Sequence, residues 1–295
     1  MFDGMTELST ERRMWSLFEP VHAVSYFAPA TRQAFEEAGL RGYWRGYFAS
    51  RTAPMGAVSA GPVIGAFYGF APGMVHRALP DVWTRITPQA ALDARRVGAG
   101  HALAGAVAGL DGIEELAGLL REAASAAPCH GRVLGAANAA LPWPEDPLEV
   151  VWHAATLLRE HRGDGHLAAL LVEGLDGCES MVWRIAVNGG AGREMAQPAR
   201  GWTDEEWDAA RDRLHQRGYL DGEGAATERS FSAYRTIEEL TDRLAAGPWE
   251  ALGPEATQRC ERLLTPLATR VLAELPDYPV WIRLPAPATP APGAS

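Results

Sequence analysis

Lysine is missing altogether: every one of the 27 basic residues among the 295 is an arginine. That absence removes chemistry. No lysine can form a Schiff base, so pyridoxal phosphate has no attachment point, and neither a P-loop nor a kinase-type phosphate lysine exists. A bound phosphate or carboxylate must be held by arginine or by backbone N–H groups. Cysteine is scarce: Cys129, Cys178 and Cys260 lie far apart and form no CxxC pair. This excludes a zinc ribbon or a disulfide framework and fits a reducing compartment. No stretch approaches the roughly 20 apolar residues of a membrane span, and residues 1–13 are mixed and charged, without the apolar segment of a secretory leader. The expectation is a cytoplasmic protein with no membrane partner. The sequence also lacks a GxGxxG after a clear strand, a GxSxG and a DxDxDG loop.

What is present describes a soluble globular chain, 47% apolar and 22% charged, with a net charge of −10 that opposes non-specific attraction to nucleic acid. Two seams stand out. Three prolines in six residues, Pro142, Pro144 and Pro147, forbid a continuing helix, and residues 284–295 form a Pro/Ala tail expected to be disordered. These divide the chain into a helical domain (1–145) and a second domain (146–283) of similar length. Both halves begin with a histidine-bearing helix (His22, His153), a pattern compatible with a degenerate internal repeat.

Helical patterning covers most of the first half, including 31–38 closed by Gly39, then 88–108 and 112–127. In the second half, helices are expected at 148–160 and 167–184, separated by a turn at 161–166 that carries Gly163 and Gly165. Thr203 and Glu206 form a capping box that opens a helix ending at Gly218. Residues 219–224 read as a short strand and turn, 228–234 as its return strand, and 236–246 and 258–275 as closing helices.

That order, a capped helix ending in Arg217-Gly218-Tyr219-Leu220, then a turn, a strand and a long helix, makes residues 165–250 resemble a winged helix-turn-helix of the MarR type. The whole chain, through Phe18-Glu-Pro-Val-His22, Tyr26-Phe-Ala28 and Arg162-Gly-Asp-Gly-His166, also resembles an uncharacterised actinobacterial family assigned to the winged-helix class. The resemblance implies a mainly α fold whose second half contains a winged-helix-like element with a small β wing, and it brings DNA in as a partner. The residues oppose that partner. A DNA-reading helix presents its first turns to the duplex, and here those turns hold Asp204, Glu205, Glu206 and Asp208, four carboxylates in five positions.

The densest chemistry lies in His161-Arg162-Gly163-Asp164-Gly165-His166. His161 and His166 could ligate a metal or haem, or act as an acid/base pair with Asp164 orienting one imidazole and Arg162 holding an anion. The spacing is not that of the HExxH zinc helix. The same residues also have a structural reading, with Asp164 as an N-cap and His161 favoured by a helix C-terminus. His153, eight residues before His161, could join the group, and His22 precedes an aromatic run. Tyr43, Trp44, Tyr47, Phe67 and Tyr68 form an aromatic series that describes either a core stripe or a cavity wall. The sequence thus predicts a small-molecule-binding protein, or an enzyme of specialised metabolism, with a pocket between the halves for an aromatic or acidic organic molecule. A ligand-responsive MarR-like regulator and a histidine-ligated metal or haem enzyme are the alternatives. Homo-oligomerisation is compatible with this composition.

Overall fold

The computed structural model describes residues 8–188 and 192–275. Fifteen α-helices occur among them: α1 (Thr10–Phe27), α2 (Pro29–Glu37), α3 (Tyr43–Thr52), α4 (Ala60–Phe67), α5 (Pro72–Ala78), α6 (Pro88–Val107), α7 (Ile113–Ser125), α8 (Val133–Ala139), α9 (Pro147–Glu173), α10 (Gly177–Asn188), α11 (Arg193–Arg200), α12 (Asp204–Gln216), α13 (Glu228–Leu244), α14 (Gly247–Leu252) and α15 (Pro254–Glu274). The fold is mainly helical. No described helix is long and apolar enough to cross a membrane. The tail at 284–295 lies outside the described residues.

Helix α9 organises the packing. It starts where the sequence signals a start: Asp146 accepts a hydrogen bond from the Glu149 N–H at 3.0 Å, and Pro147 occupies the first turn, where its missing N–H costs nothing. It packs on α7, α8, α13 and α1, while α1 packs in turn on α15 and α6. One core therefore draws on both ends of the chain, through Met14 and Val21 of α1, Leu116 and Leu120 of α7, Val151 and Leu158 of α9, and Leu264 and Leu267 of α15. A second core gathers Phe48, Phe67, Phe70 and Leu79. A third joins Leu170, Trp183, Trp207, Leu214, Tyr219 and Ile237, holding α10, α12 and α13 to the end of α9.

Three local expectations are corrected. Residues 161–166 are not a turn: they lie inside α9, and the helix runs unbroken through Gly163 and Gly165. Each glycine costs a helix interior about 1 kcal/mol relative to alanine, and packing explains at least one of them. A Cβ on Gly165 would collide with the Arg132 guanidinium and stand 3.2 Å from Leu244 Cβ, so this glycine lets α9 approach its neighbours closely. The β wing reduces to one antiparallel bridge, Leu220 to Ala226, the sole β pairing among the described residues. Its turn is held by Asp221 Oδ1, which accepts the N–H groups of Glu223 and Ala225 at 2.9 and 2.8 Å. The expected return strand at 228–234 is instead the start of α13, capped by Thr227, with Ser230, Ala233 and Ile237 buried at helical spacing. The capping box at Thr203 and Glu206 is formed as read, with reciprocal bonds of 3.2 and 2.9 Å.

Candidate functional site

Helix α9 presents different chemistry on two faces. Towards α8, Asp164 Oδ2 accepts the backbone N–H groups of Leu134 and Gly135 at 2.9 and 2.8 Å. Asp164 therefore does cap a helix, but that helix is α8 rather than its own. Burial pushes its carboxyl up to about 6, against the pull of those backbone donors. His161 lies on this face as well; its carbonyl accepts from Arg132, and its Nε2 has no hydrogen-bond partner among the described residues. Burial, then the Arg132 charge, lowers its imidazole to about 4.

The opposite face of α9 looks into a cavity of about 230 Å³. Arg159, Arg162, Gly163 and His166 form its floor. Trp15 and Glu19 come from α1, Tyr47 and Arg51 from α3, and Phe67 to Phe70 from the end of α4 and the following turn. The far wall belongs to α10 (Met181, Trp183, Arg184), α11 (Arg200) and α13 (Glu238). A Cβ added at Gly163 would meet only a Glu160 oxygen, at 3.9 Å, so this position opens onto free space.

The cavity is both aromatic and cationic. Phe67 and Phe70 sit 5.9 Å apart, with the Arg51 guanidinium 4.3 Å from the first ring and that of Arg200 4.4 Å from the second. Arg162 stacks on Trp15 at 4.3 Å. Beneath them Glu160, only 1% exposed, accepts two bonds from Arg51 at 2.9 and 3.0 Å and one from Arg159 at 2.9 Å. Burial alone would raise the Glu160 carboxyl, but the Arg159 and Arg51 charges hold it well below the usual carboxylate range. Arg159 also reaches Glu19 at 3.6 Å, and Arg162 reaches Asp242 at 3.1 Å and Glu238 at 3.7 Å. Arg184 and Arg200 differ from these: neither guanidinium forms an ion pair or a hydrogen bond with any described residue.

Among the described residues, His166 is the one imidazole on the cavity wall. Its Nδ1 is 3.0 Å from Thr241 Oγ1, and the Thr241 hydroxyl spends its proton on the Ile237 carbonyl at 2.7 Å. That network assigns the hydrogen to Nδ1 and leaves Nε2 a bare acceptor. Burial, then the Arg184, Arg162 and Arg12 charges, keeps the ring neutral by pulling its pKa well below the ordinary value.

The other sequence candidates disperse. His22 bonds Thr156 Oγ1 at 3.1 Å and abuts Tyr26, with its pKa pushed well down by burial. His153 packs edge-on to Trp143 at 4.8 Å, beside a separate hollow of about 650 Å³ between α6 and the start of α9, and burial lowers it to about 4. His161 and His166 occupy different faces of α9 and do not meet. Among the described residues, no group of three or more His, Cys, Asp or Glu side chains is placed to hold a metal ion. Tyr47, Phe67, Tyr68 and Arg162 line the central cavity, whereas Tyr43 and Trp44 line a shallower hollow with Arg45 and Arg77. The cavity residues that the sequence did not mark as site residues include Arg159, Arg184, Arg200, Trp15, Trp183, Glu19 and Glu238. For Arg159 a signal existed, since it directly precedes Glu160 and the 161–166 run.

The turn after α4 ties the cavity to the helices that follow. Tyr68 sits at φ 45°, ψ −66°, a strained conformation for a non-glycine residue. Its hydroxyl donates to the Leu175 carbonyl, and its own carbonyl packs where a Cβ on Gly177 would collide. Trp202 Nε1 donates to the Gly69 carbonyl at 3.0 Å, and the Ala71 N–H to the Arg200 carbonyl at 2.8 Å.

Helix α12 is acidic at its exposed start, and its exposed Arg211 lies 3.9 Å from Asp212, while the arginines around it are paired. Arg193 pairs with Asp204 and Asp208 at 3.0 and 2.7 Å. Arg213 and Arg217 turn to the buried Glu179 at 2.8 and 2.9 Å.

This arrangement, a long central helix followed by short helices α10 to α12 and the turn at 221–225, agrees with comparison to known families. The model of a helix-turn-helix family matches residues 11–276. The chain belongs to that helix-turn-helix family. No curated protein and no solved structure matches it.

Proposed function

We propose that this helix-turn-helix family member binds a small aromatic or acidic organic molecule in the cavity between α9 and helices α1, α3, α10 and α11. The observation that carries the reading is the wall itself, where aromatic rings alternate with guanidinium groups around space that no described side chain fills. His166, neutral and with Nε2 free to accept, supplies one polar contact for a ligand hydroxyl or amine.

A second reading, a MarR-like ligand-responsive regulator, is favoured by the family match and by the position of the cavity, whose wall includes α10 and α11. The charge of α12 weighs against it: Asp204, Glu205 and Glu206 are exposed at the end that would meet phosphate. The full chain is expected to bind a randomised duplex pool at about 150 mM salt no more tightly than about 10⁻⁶ M, the strength of non-specific association. Anisotropy of labelled duplex measures this. Binding in the range of about 10⁻⁸ M or tighter would establish the regulator reading instead.

A further inference from the structure

The geometry points to an aryl carboxylic acid as the ligand, with its carboxylate seated on Arg200 and its ring against Phe67 and Phe70. This inference rests on the cavity reading above and adds the chemical class and the residue that selects it. Among the guanidinium groups around the cavity, Arg51 is committed to Glu160 through two bonds. Arg200 and Arg184 line the same space with no carboxylate partner among the described residues. A cation held away from water without a counter-charge is costly, and a ligand that brings the counter-charge recovers that cost on binding. Arg200 is also repelled by Arg51, so an anion between them is stabilised by both.

The Arg200 guanidinium carbon lies over the Phe70 ring, 4.4 Å from its centroid, and no described residue accepts from its N–H groups, which leaves them for a carboxylate. The cavity volume of about 230 Å³ lies below the roughly 300–1,000 Å³ of drug-sized pockets, which restricts the body of the ligand to one or two rings. Arg200 sits on α11 while Phe67 and Arg51 sit on α4 and α3, so a bound acid would join the helix-turn-helix segment to the amino-terminal helices.

The test is isothermal titration of the full chain with a panel of one- and two-ring aryl carboxylates and their matching primary amides. The carboxylates are expected to bind more tightly than the amides. Arg200→Gln should weaken the acids by about 10- to 100-fold, the loss of a charge-assisted pair, while leaving the amides within about threefold. Arg200→Lys should recover only part of the difference, because the fork is lost. Arg200 makes no bond whose loss would unfold the chain, so Arg200→Gln should melt no lower than the wild type. An amide that binds as tightly as its acid, or Arg200→Gln acids of wild-type affinity, would overturn the carboxylate seat while the cavity reading stands. No binding of either series to the wild type up to about 1 mM would overturn both.

Discussion

Replacing Glu160 with glutamine or alanine is expected to destabilise the protein by about 3–5 kcal/mol, the cost of breaking a buried ion pair by removing one partner. Glu160 is 1% exposed and is shared by Arg51 and Arg159, so its loss leaves two guanidinium groups repelling each other in the core. Arg200 stands close enough to add to that repulsion. The double replacement Arg51→Met with Glu160→Met should recover part of the loss, because it removes one of the two orphaned guanidinium groups and leaves Arg159 with Glu19 at 3.6 Å. By contrast, the exposed Asp81–Arg85 pair, at 3.0 Å, should be nearly dispensable. Urea unfolding of the Glu160→Gln, Glu160→Ala and double variants, and of Asp81→Asn, measures these differences. A Glu160→Gln protein as stable as the wild type would mean that the network under the cavity contributes nothing to the fold.

Stability should also fall steeply as pH drops below about 6.5. His22, His153, His161 and His166 all have folded pKa values below that of an ordinary imidazole, and His153 and His161 reach about 4. The unfolded chain therefore takes up protons at these sites before the folded one does. Each contributes stability that is present above 6.5 and is lost as pH falls towards the folded value. For His153 and His161 the loss approaches about 3 kcal/mol each by pH 4, at roughly 1.4 kcal/mol per pKa unit. Glu160, held low by its arginines, adds a further loss once unfolded carboxylates begin to protonate. Asp164 works in the opposite sense: its folded carboxyl, raised to about 6, protonates first and offsets part of the decline between pH 6 and 4. The expected result is cooperative acid unfolding between about pH 4 and 5, since a domain carries only about 5–15 kcal/mol. Thermal melts across pH 4–8 follow it. A melting temperature unchanged from pH 7 to pH 5 would mean that these imidazoles are not held neutral by burial.

The features the sequence revealed are those encoded within a few residues. Thr203 with Glu206, Asp146 with Pro147, and the stops at Gly39 and Gly218, both at positive φ, announced their helix ends because cap chemistry is local. The helix-turn-helix likeness was legible for the same reason. Gly163 and Gly165 misled because a glycine looks the same in a sequence whether it frees the backbone or lets another chain segment approach. The partners that decide the matter for Gly165, Arg132 and Leu244, lie far from it in sequence. The 228–234 segment misled because Phe231 and Tyr234 suit a strand, while the cap at Thr227 and the buried series Ser230, Ala233 and Ile237 favour a helix. The cavity was half legible. Tyr47, Phe67, Tyr68 and Arg162 were visible as a group, but Trp15 and Trp183 were not, and the bond from Arg51 to Glu160 spans 109 positions with nothing near either residue to announce it.

The most direct test of the cavity as a ligand site is a thermal-shift comparison of the wild type with Gly163→Leu across a panel of small aromatic acids and neutral aromatics. Gly163 lies in a helix interior and opens onto the cavity, so leucine there should fold at least as well, by up to about 1 kcal/mol of helix propensity, while filling the space. The account predicts that compounds from the panel raise the melting temperature of the wild type and leave that of Gly163→Leu unchanged. Stabilisation of both proteins alike, or of neither, would contradict it.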